Sequence, residues 1–468
     1  MSACRRILAA AALIFFVPTG LMAHARLLRS WPAAGERLRT SPPAIRLVFS
    51  EMPVTAVSHI MIMGAPGDSM PLRMVRADPA DRHALIGDLP TALVPGAYRV
   101  HWSTAASDGH PSSGTYYFTV LAGPEAPPPP AGSTGNPSPP SANPVSSPAP
   151  LRSDSAPVGE DRPAAADTVA TSYPMGIARW IGFLALFLLI GSVAFRYAIL
   201  SRMSRDADPR DPFIHIASVS SATLGMFAAV VLLLASIVKL YAETIGMPGV
   251  PFGTLLVGTS WGWVLIAQIA ACIVGFFAFA VAHRESRLSW AVAAVCALVL
   301  SMTPALTGHA IGSDQALYMV PLDVLHVAGG SVWLGTLAAI VFVGIGAAFK
   351  APGGVSPGSR VAQMINAFSP LALLCAATVV STGVIASLLN LDGISRLWTS
   401  DYGLMLLRKL IFVTLLLATG AWNWRRMKPR LGTDDKVQAI QRSARLELAF
   451  GAIVLAFTAF LVAIALPD

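Results

Sequence analysis

Three residues that lie far apart in this 468-residue chain could together hold a metal ion: His24, Asp108 and His110. His24 sits in LMAHARLL, residues 21–28, where two cleavage points for a secretory leader compete. Cutting after Ala23 makes His24 the new N-terminus and puts a free α-amine and an imidazole on one residue. Cutting after Ala25 removes it, and Ala23-His24-Ala25 fits the small-x-small rule better than Leu21-Met22-Ala23 does. An α-amine titrates near neutrality and is therefore available as a neutral ligand. In SDGHPSSG, Asp108 and His110 are two apart, which in an extended segment sets them on one face. Two imidazoles, an amine and a carboxylate form a nitrogen-rich tetragonal set that suits Cu(II). The competing reading is that Asp108-Gly109 is a turn and His110 a surface histidine.

A second group of polar residues falls inside long apolar stretches, where such groups are costly and are functional candidates by default. TPALTGHAIGSDQ holds His309, with Met302 one to two turns before it. In MVPLDVLHVAGGSVWLGTL, Met319, Asp323, His326, Gly330 and Trp333 recur on one helical stripe. A thioether and imidazoles there could ligate a soft metal, while the competing reading pairs Asp323 with Arg408 or Lys409. Lys239 and Glu243, four apart, read as a helical ion pair, and Glu447 as a partner for a loop arginine.

The elements that must position these residues follow from composition. The chain is 54% hydrophobic and 12% charged, about half the charged fraction of a soluble globular chain, so most of it belongs in lipid. Residues 1–23 read as a signal peptide, with Arg5 and Arg6 ahead of an apolar run too short to span a bilayer. Residues 24–122 read as a small exported β domain. AIRLVFS, SHIMIM, GAYRVHW and GTYYFTV alternate and are rich in β-branched and aromatic residues, and WPAAGE, APGD, VPGA and DGHPSSG punctuate them. Residues 123–172 are proline-rich, poor in apolar side chains, and read as an extended linker. From 173 to 468 eight apolar segments can span: 174–199, 215–243, 259–282, 288–306, 319–349, 363–389, 402–424 and 446–466. The net charge of +8 is concentrated in the loops after spans one, three, five and seven, and the opposite loops hold only Arg396. That asymmetry puts the β domain and the C-terminus outside. No basic run interleaved with aromatics suits nucleic acid. Cys272, Cys296 and Cys375 lie in apolar segments and read as packing residues, with no disulfide framework in the exported part.

HARLLRSWPAAGERLRTSPPAIRLVFSEMPV with GAYRVHWSTAASDGHPSSGTYYFTV resembles the periplasmic copper-binding protein CopC over essentially all of 24–122. TGHA, DVLHVAGGSVWLGTL, YGLMLLRKLIFVTLLLATGAWNWRRMKP and RLELAFGAIVLAFTAFLVAIALP resemble the membrane protein CopD, specifically over about 305–466. The whole chain is thus similar to CopC–CopD fusions. The resemblance implies a cupredoxin-like, Ig-like β-sandwich followed by an eight-helix membrane bundle. It also implies cleavage after Ala23 and a Cu(II) site at His24, Asp108 and His110. Some CopC relatives add a methionine-rich Cu(I) site. Here Met52, Met61, Met63, Met70 and Met74, with His59 and His83 nearby, supply thioethers that favour Cu(I), and His59, Met61 and Met63 share a strand face. Their spacing does not clearly reproduce the family's cluster, and methionines also fill cores. His309 and His326 are carried over as copper-handling residues of the bundle, with copper as Cu(I) there. Where the family has a second glycine in span five, this chain has Thr336.

The function these features imply is capture of Cu(II) by the exported domain and import of copper across a bacterial inner membrane. The partners would be copper ions, the lipid bilayer and other periplasmic copper carriers. Neither a Walker motif nor a CPx-type metal motif is present, and the chain reads as a non-enzyme. The alternatives are tethered sequestration without transport and a copper- or haem-dependent oxidoreductase.

Overall fold

The computed structural model describes residues 26–64, 69–72, 75–106, 111–122, 165–206, 211–247, 250–284, 286–308, 315–391, 395–428 and 432–462. His24, Met74, Asp108, His110 and His309 lie outside the described residues, as do the expected signal peptide and residues 123–164 of the expected linker.

The N-terminal part is a two-sheet β-sandwich. Its strands are β1 (Leu27–Trp31), β2 (Arg37–Leu38), β3 (Ala44–Phe49), β4 (His59–Gly64), β5 (Ser69–Pro71), β6 (Val75–Asp78), β7 (Asp81–Asp88), β8 (Gly96–Ala105) and β9 (Pro111–Val120). One sheet has the order β1-β3-β7-β6 and the other β2-β9-β8-β4-β5. Strict alternation builds the interior: Ile45, Leu47 and Phe49 of β3 meet Ile60 and Ile62 of β4, Val100 and Trp102 of β8, and Phe118 of β9. Trp102 packs edge-on against Phe49 with centroids 5.1 Å apart. A side chain at Gly114 would come within 2.6 Å of the Trp102 indole, so the bare backbone is required there. β9 starts earlier than the strand expected from GTYYFTV. Pro111 and Ser112, read as punctuation, already pair with Ala105 and Thr104, because Ser112 continues the inward set of Tyr116, Phe118 and Val120.

The C-terminal part has eight helices long and apolar enough to cross a membrane: α1 (Pro174–Arg205), α2 (Pro212–Gly246), α3 (Ser260–Ala282), α4 (Arg287–Leu306), α5 (Ala316–Lys350), α6 (Pro357–Asn390), α7 (Tyr402–Met427) and α8 (Lys436–Leu461). All eight expected spans are present, with the largest boundary shifts at the first and last helices. The first helix extends back to Ala165, shortening the expected linker. The last begins at Asp434, not near 446, so that Lys436, Arg442 and Arg445 ride on a helical extension built from good helix formers. α1 is the shared wall of two cores, one with α2, α3 and α4, the other with α5 to α8. At the α1–α5 crossing a Cβ on Gly191 would lie 2.1 Å from the Gly335 carbonyl carbon, so the two backbones touch. Thr336 is fully buried beside this crossing. Cys272, Cys296 and Cys375 are free and buried, as packing residues would be.

Candidate metal centres

The sandwich sits on one end of the bundle. Its contact is a compact apolar cluster in which Val57 and Ala105 meet Met247, Leu255, Trp261 and Leu265. A short helical turn, Thr55–Val57, carries Val57 and is tied to the end of β8. The Val54 N–H donates to the Ala105 carbonyl at 2.8 Å, and the Ser58 hydroxyl lies 2.6 Å from that of Thr104. On the bundle side, Thr259 caps α3 by accepting from the Gly262 N–H at 2.9 Å, which fixes Trp261 at the first turn. The Lys239 ammonium lies 5.4 Å from the Trp261 ring centroid, a cation–π contact on the indole. Pro111 at the start of β9 presses on the end of α2, where a Cβ on Gly246 would meet its ring at 2.7 Å. Ala105 and Pro111, on either side of SDGH, are therefore both interface residues.

The methionines of the sandwich divide between its two faces. Met61 and Met63 stand on the outward face of β4. Met70 pairs across with Ile62 and packs on the core, so it does not share their face. The Met63 sulfur is 2.9 Å from an Arg99 guanidinium nitrogen that donates to it.

In the bundle, Asp323 and His326 lie one turn apart on α5, in the half nearer the sandwich. His326 Nδ1 is 3.0 Å from the Thr382 hydroxyl of α6. That hydroxyl donates to the Thr378 carbonyl at 2.7 Å, so its oxygen can accept from Nδ1–H, and the ring also bonds the Val379 backbone. Gly383 makes room for the ring, since a Cβ there would lie 3.2 Å from His326 Cε1. Lys409 of α7 faces both Asp323 and His326. Asp323, His326 and Lys409 thus lie in one electrostatic neighbourhood. Met319 is buried two turns from His326. Deeper in the bundle, Glu447 of α8 takes a hydrogen bond from the Asn423 amide at 2.9 Å and another from the Trp333 indole, where a loop arginine was expected. Asn423 opens a π-helical turn, Asn423–Met427, and also accepts from the Ser443 hydroxyl.

Comparison with known proteins follows the same division. Residues 27–121 match the CopC domain, residues 170–320 the copper resistance protein D-like N-terminal domain, and residues 362–461 copper resistance protein D. Copper transport protein CutJ of Bacillus subtilis (strain 168) is 24% identical over 455 residues, covering 94% of this chain and 74% of that one. Copper resistance protein C of Escherichia coli is 32% identical over 126 residues, 26% of this chain and 99% of that one. The chain belongs to the CopC–CopD copper resistance family. A crystal structure of CopC from Methylosinus trichosporium OB3b is 28% identical and covers 22% of this chain and 99% of that one, with a TM-score of 0.21.

Within this CopC–CopD chain, three features had no signal in the sequence reading. Thr382 is an ordinary threonine in an apolar run until α6 is packed against α5. The docking cluster draws on five separate short segments. His101, in GAYRVHW, becomes a neighbour of Met61 only once the register Met61↔His101 is known.

Proposed function

We propose that the chain imports copper. The sandwich captures Cu(II) outside the membrane through His24, Asp108 and His110, and the bundle carries copper inward through the His326 cluster. The observation that carries this reading is the docked interface: Ala105 and Pro111, which bracket Asp108 and His110 in the sequence, rest on the same end of the bundle to which Asp323 and His326 are nearest. A sandwich held there needs no free diffusion to deliver its cargo. His326 supports the same reading, because its ring is held by a neighbouring hydroxyl and a backbone group, as the rings of metal-binding histidines are. Met319 and His309 would extend the path, with copper as Cu(I) among these softer ligands. The loop charges support a sandwich and C-terminus on the periplasmic side of a bacterial inner membrane, with residues 1–23 removed as a signal peptide. Residues 123–164 supply the connection and other periplasmic carriers the copper.

The test is the copper content of cells grown in limiting copper. The full chain should raise it. His326→Ala and the pair Asp108→Asn with His110→Ala should each return it to the level of cells without the protein. Unchanged copper with His326→Ala, alongside a loss with the Asp108/His110 pair, would instead mean sequestration by a tethered domain.

A further inference from the structure

Glu447 of α8 is a buried carboxyl that the proposed copper path does not use. Its Oε2 accepts from the Asn423 amide of α7 at 2.9 Å, and the carboxyl also accepts from the Trp333 indole of α5. Oε1 lies near Gly420 of α7, where a Cβ would come within 3.4 Å of it. Three helices therefore converge on one carboxyl, and the donors they supply are neutral. The cations around it are engaged elsewhere. Arg445 on α8, Arg425 and Arg426 on α7, and Lys350 on α5 are exposed, with Arg426 stacked on Trp422. Arg196 of α1 lies over Trp290, and Arg360 of α6 pairs with Asp211 at 3.0 Å. A carboxylate without a cation beside it is costly inside a membrane, and intramembrane carboxyls of this kind serve proton relays.

The network around Glu447 leads toward the inner end of the bundle. The Ser443 hydroxyl donates to the Asn423 side-chain oxygen, which extends the chain of polar groups by one link. A cavity lined by Met427, Lys436, Ala439 and Ile440 opens between α7 and the helical extension of α8. Met427 is four residues from Asn423 and Ile440 three from Ser443, about one helical turn in each case. Toward the outer side the path is closed by aromatic rings. Phe412 of α7 stacks on Phe457 of α8 with centroids 5.4 Å apart and meets Phe450 at 6.5 Å. Along α7, Phe412 lies between Lys409 of the outer cluster and Asn423 of the inner one. Glu447 thus sits one polar chain away from an inner cavity and behind an apolar layer from Asp323 and His326.

We propose that Glu447 is a proton-binding site loaded from the inner side, and that its proton controls the inner end of the bundle. As a carboxylate it holds the Asn423 amide through a charge-assisted hydrogen bond, roughly twice as strong as a neutral one. That bond clamps α7 to α8 where the π-helical turn Asn423–Met427 begins. A hydronium ion entering by the cavity gives its proton to the carboxylate, forming the O–H bond, and leaves as water. Neutral Glu447 holds Asn423 less tightly, and the clamp loosens. The reverse step returns the proton to the same side. The proton site stands by itself, whereas its effect on copper uptake rests on the proposed function.

The site is tested on the full chain in detergent micelles with dicyclohexylcarbodiimide, which modifies protonated carboxyls in apolar surroundings, and with adducts mapped by mass spectrometry. Glu447 should be modified at low pH, and modification should fall about tenfold per pH unit above its midpoint. Control of the bundle is tested by copper uptake into vesicles with the sandwich outward, outer pH fixed and inner pH varied. Uptake should rise as inner pH falls through the same midpoint. Glu447→Gln keeps the shape but cannot ionise, so its uptake should stay at the low-pH rate at every inner pH. Glu447 that stays unmodified at low pH, or is modified equally across the range, would overturn the site, and neither readout needs a variant. Wild-type uptake that ignores inner pH, or a Glu447→Gln response that follows wild type, would overturn the control. Vesicles that take up no copper at any pH, with the modification profile intact, would strike only the proposed function.

Discussion

The sandwich and the bundle handle polar chemistry in opposite ways. The interior of the sandwich is dry: Ile45, Leu47, Phe49, Val100, Trp102 and Phe118 fill it, and the metal-ligating types His59, Met61 and His101 stand on the outside. The bundle has apolar cores as well, but between its helices it also places the buried Glu447 and the half-buried Asp323, His326 and Lys409. In water a strand can present a ligand by alternation alone, because solvent satisfies whatever the ligand does not. In a membrane each such group needs a neighbour on another helix, so Thr382 serves His326, Lys409 faces Asp323, and Asn423 serves Glu447.

The sharpest way to break this comparison is to damage each interior separately. Gly335→Leu forces a side chain into the Phe187 and Gly191 backbones and should cost more than about 3 kcal/mol, the upper end of ordinary overpacking. Detergent-solubilised protein should lose its monodisperse peak on size exclusion, while amide exchange in β3 and β8 stays slow. Trp102→Ala should do the converse, destabilising the sandwich by about 3–5 kcal/mol and speeding its amide exchange without altering the bundle. Coupled loss of both domains from either change would show that the docked interface joins them into one folding unit.

A smaller effect concerns orientation. Thr382→Val removes the acceptor for His326 Nδ1 but conserves shape, and it should lower copper affinity in the bundle roughly 10- to 100-fold by equilibrium competition. An unchanged affinity would leave His326 a packing residue. Smallest is a pH effect at the rim of the sandwich. The Ala80 N–H at 2.9 Å and the Arg46 guanidinium at 2.7 Å hold the Asp78 carboxyl below the usual carboxylate range. Its stabilisation is therefore complete above the unfolded value of about 3.9 and disappears as pH falls through the lower folded value. The thermal midpoint of the sandwich should drop across that acid range, and Asp78→Asn should flatten the drop.

Much of this organisation is legible in the chain. Period-two alternation in AIRLVF, HIMIMG and GAYRVHW marks strands whose faces come out as expected, and hydropathy marks all eight spans. Legibility falls where pairing decides. Met61 and Met63 read alike along β4 and differ only in what β8 sets opposite them, His101 or Arg99. Met70 reads as their companion, yet its cross-strand partner Ile62 turns it inward. α8 begins earlier than hydropathy suggests because Lys, Gln and Arg extend a helix without adding to its apolar run. Docking is the least legible feature, since Val57, Ala105, Met247 and Trp261 are each unremarkable until two folded surfaces meet.

The most direct test of copper import is uptake of radioactive copper by vesicles containing the full chain with the sandwich outward. Wild-type vesicles should accumulate copper that an external chelator cannot remove, and His326→Ala vesicles should hold no more than protein-free ones. Chelator-resistant copper that is equal in wild-type, His326→Ala and protein-free vesicles would contradict import through the bundle.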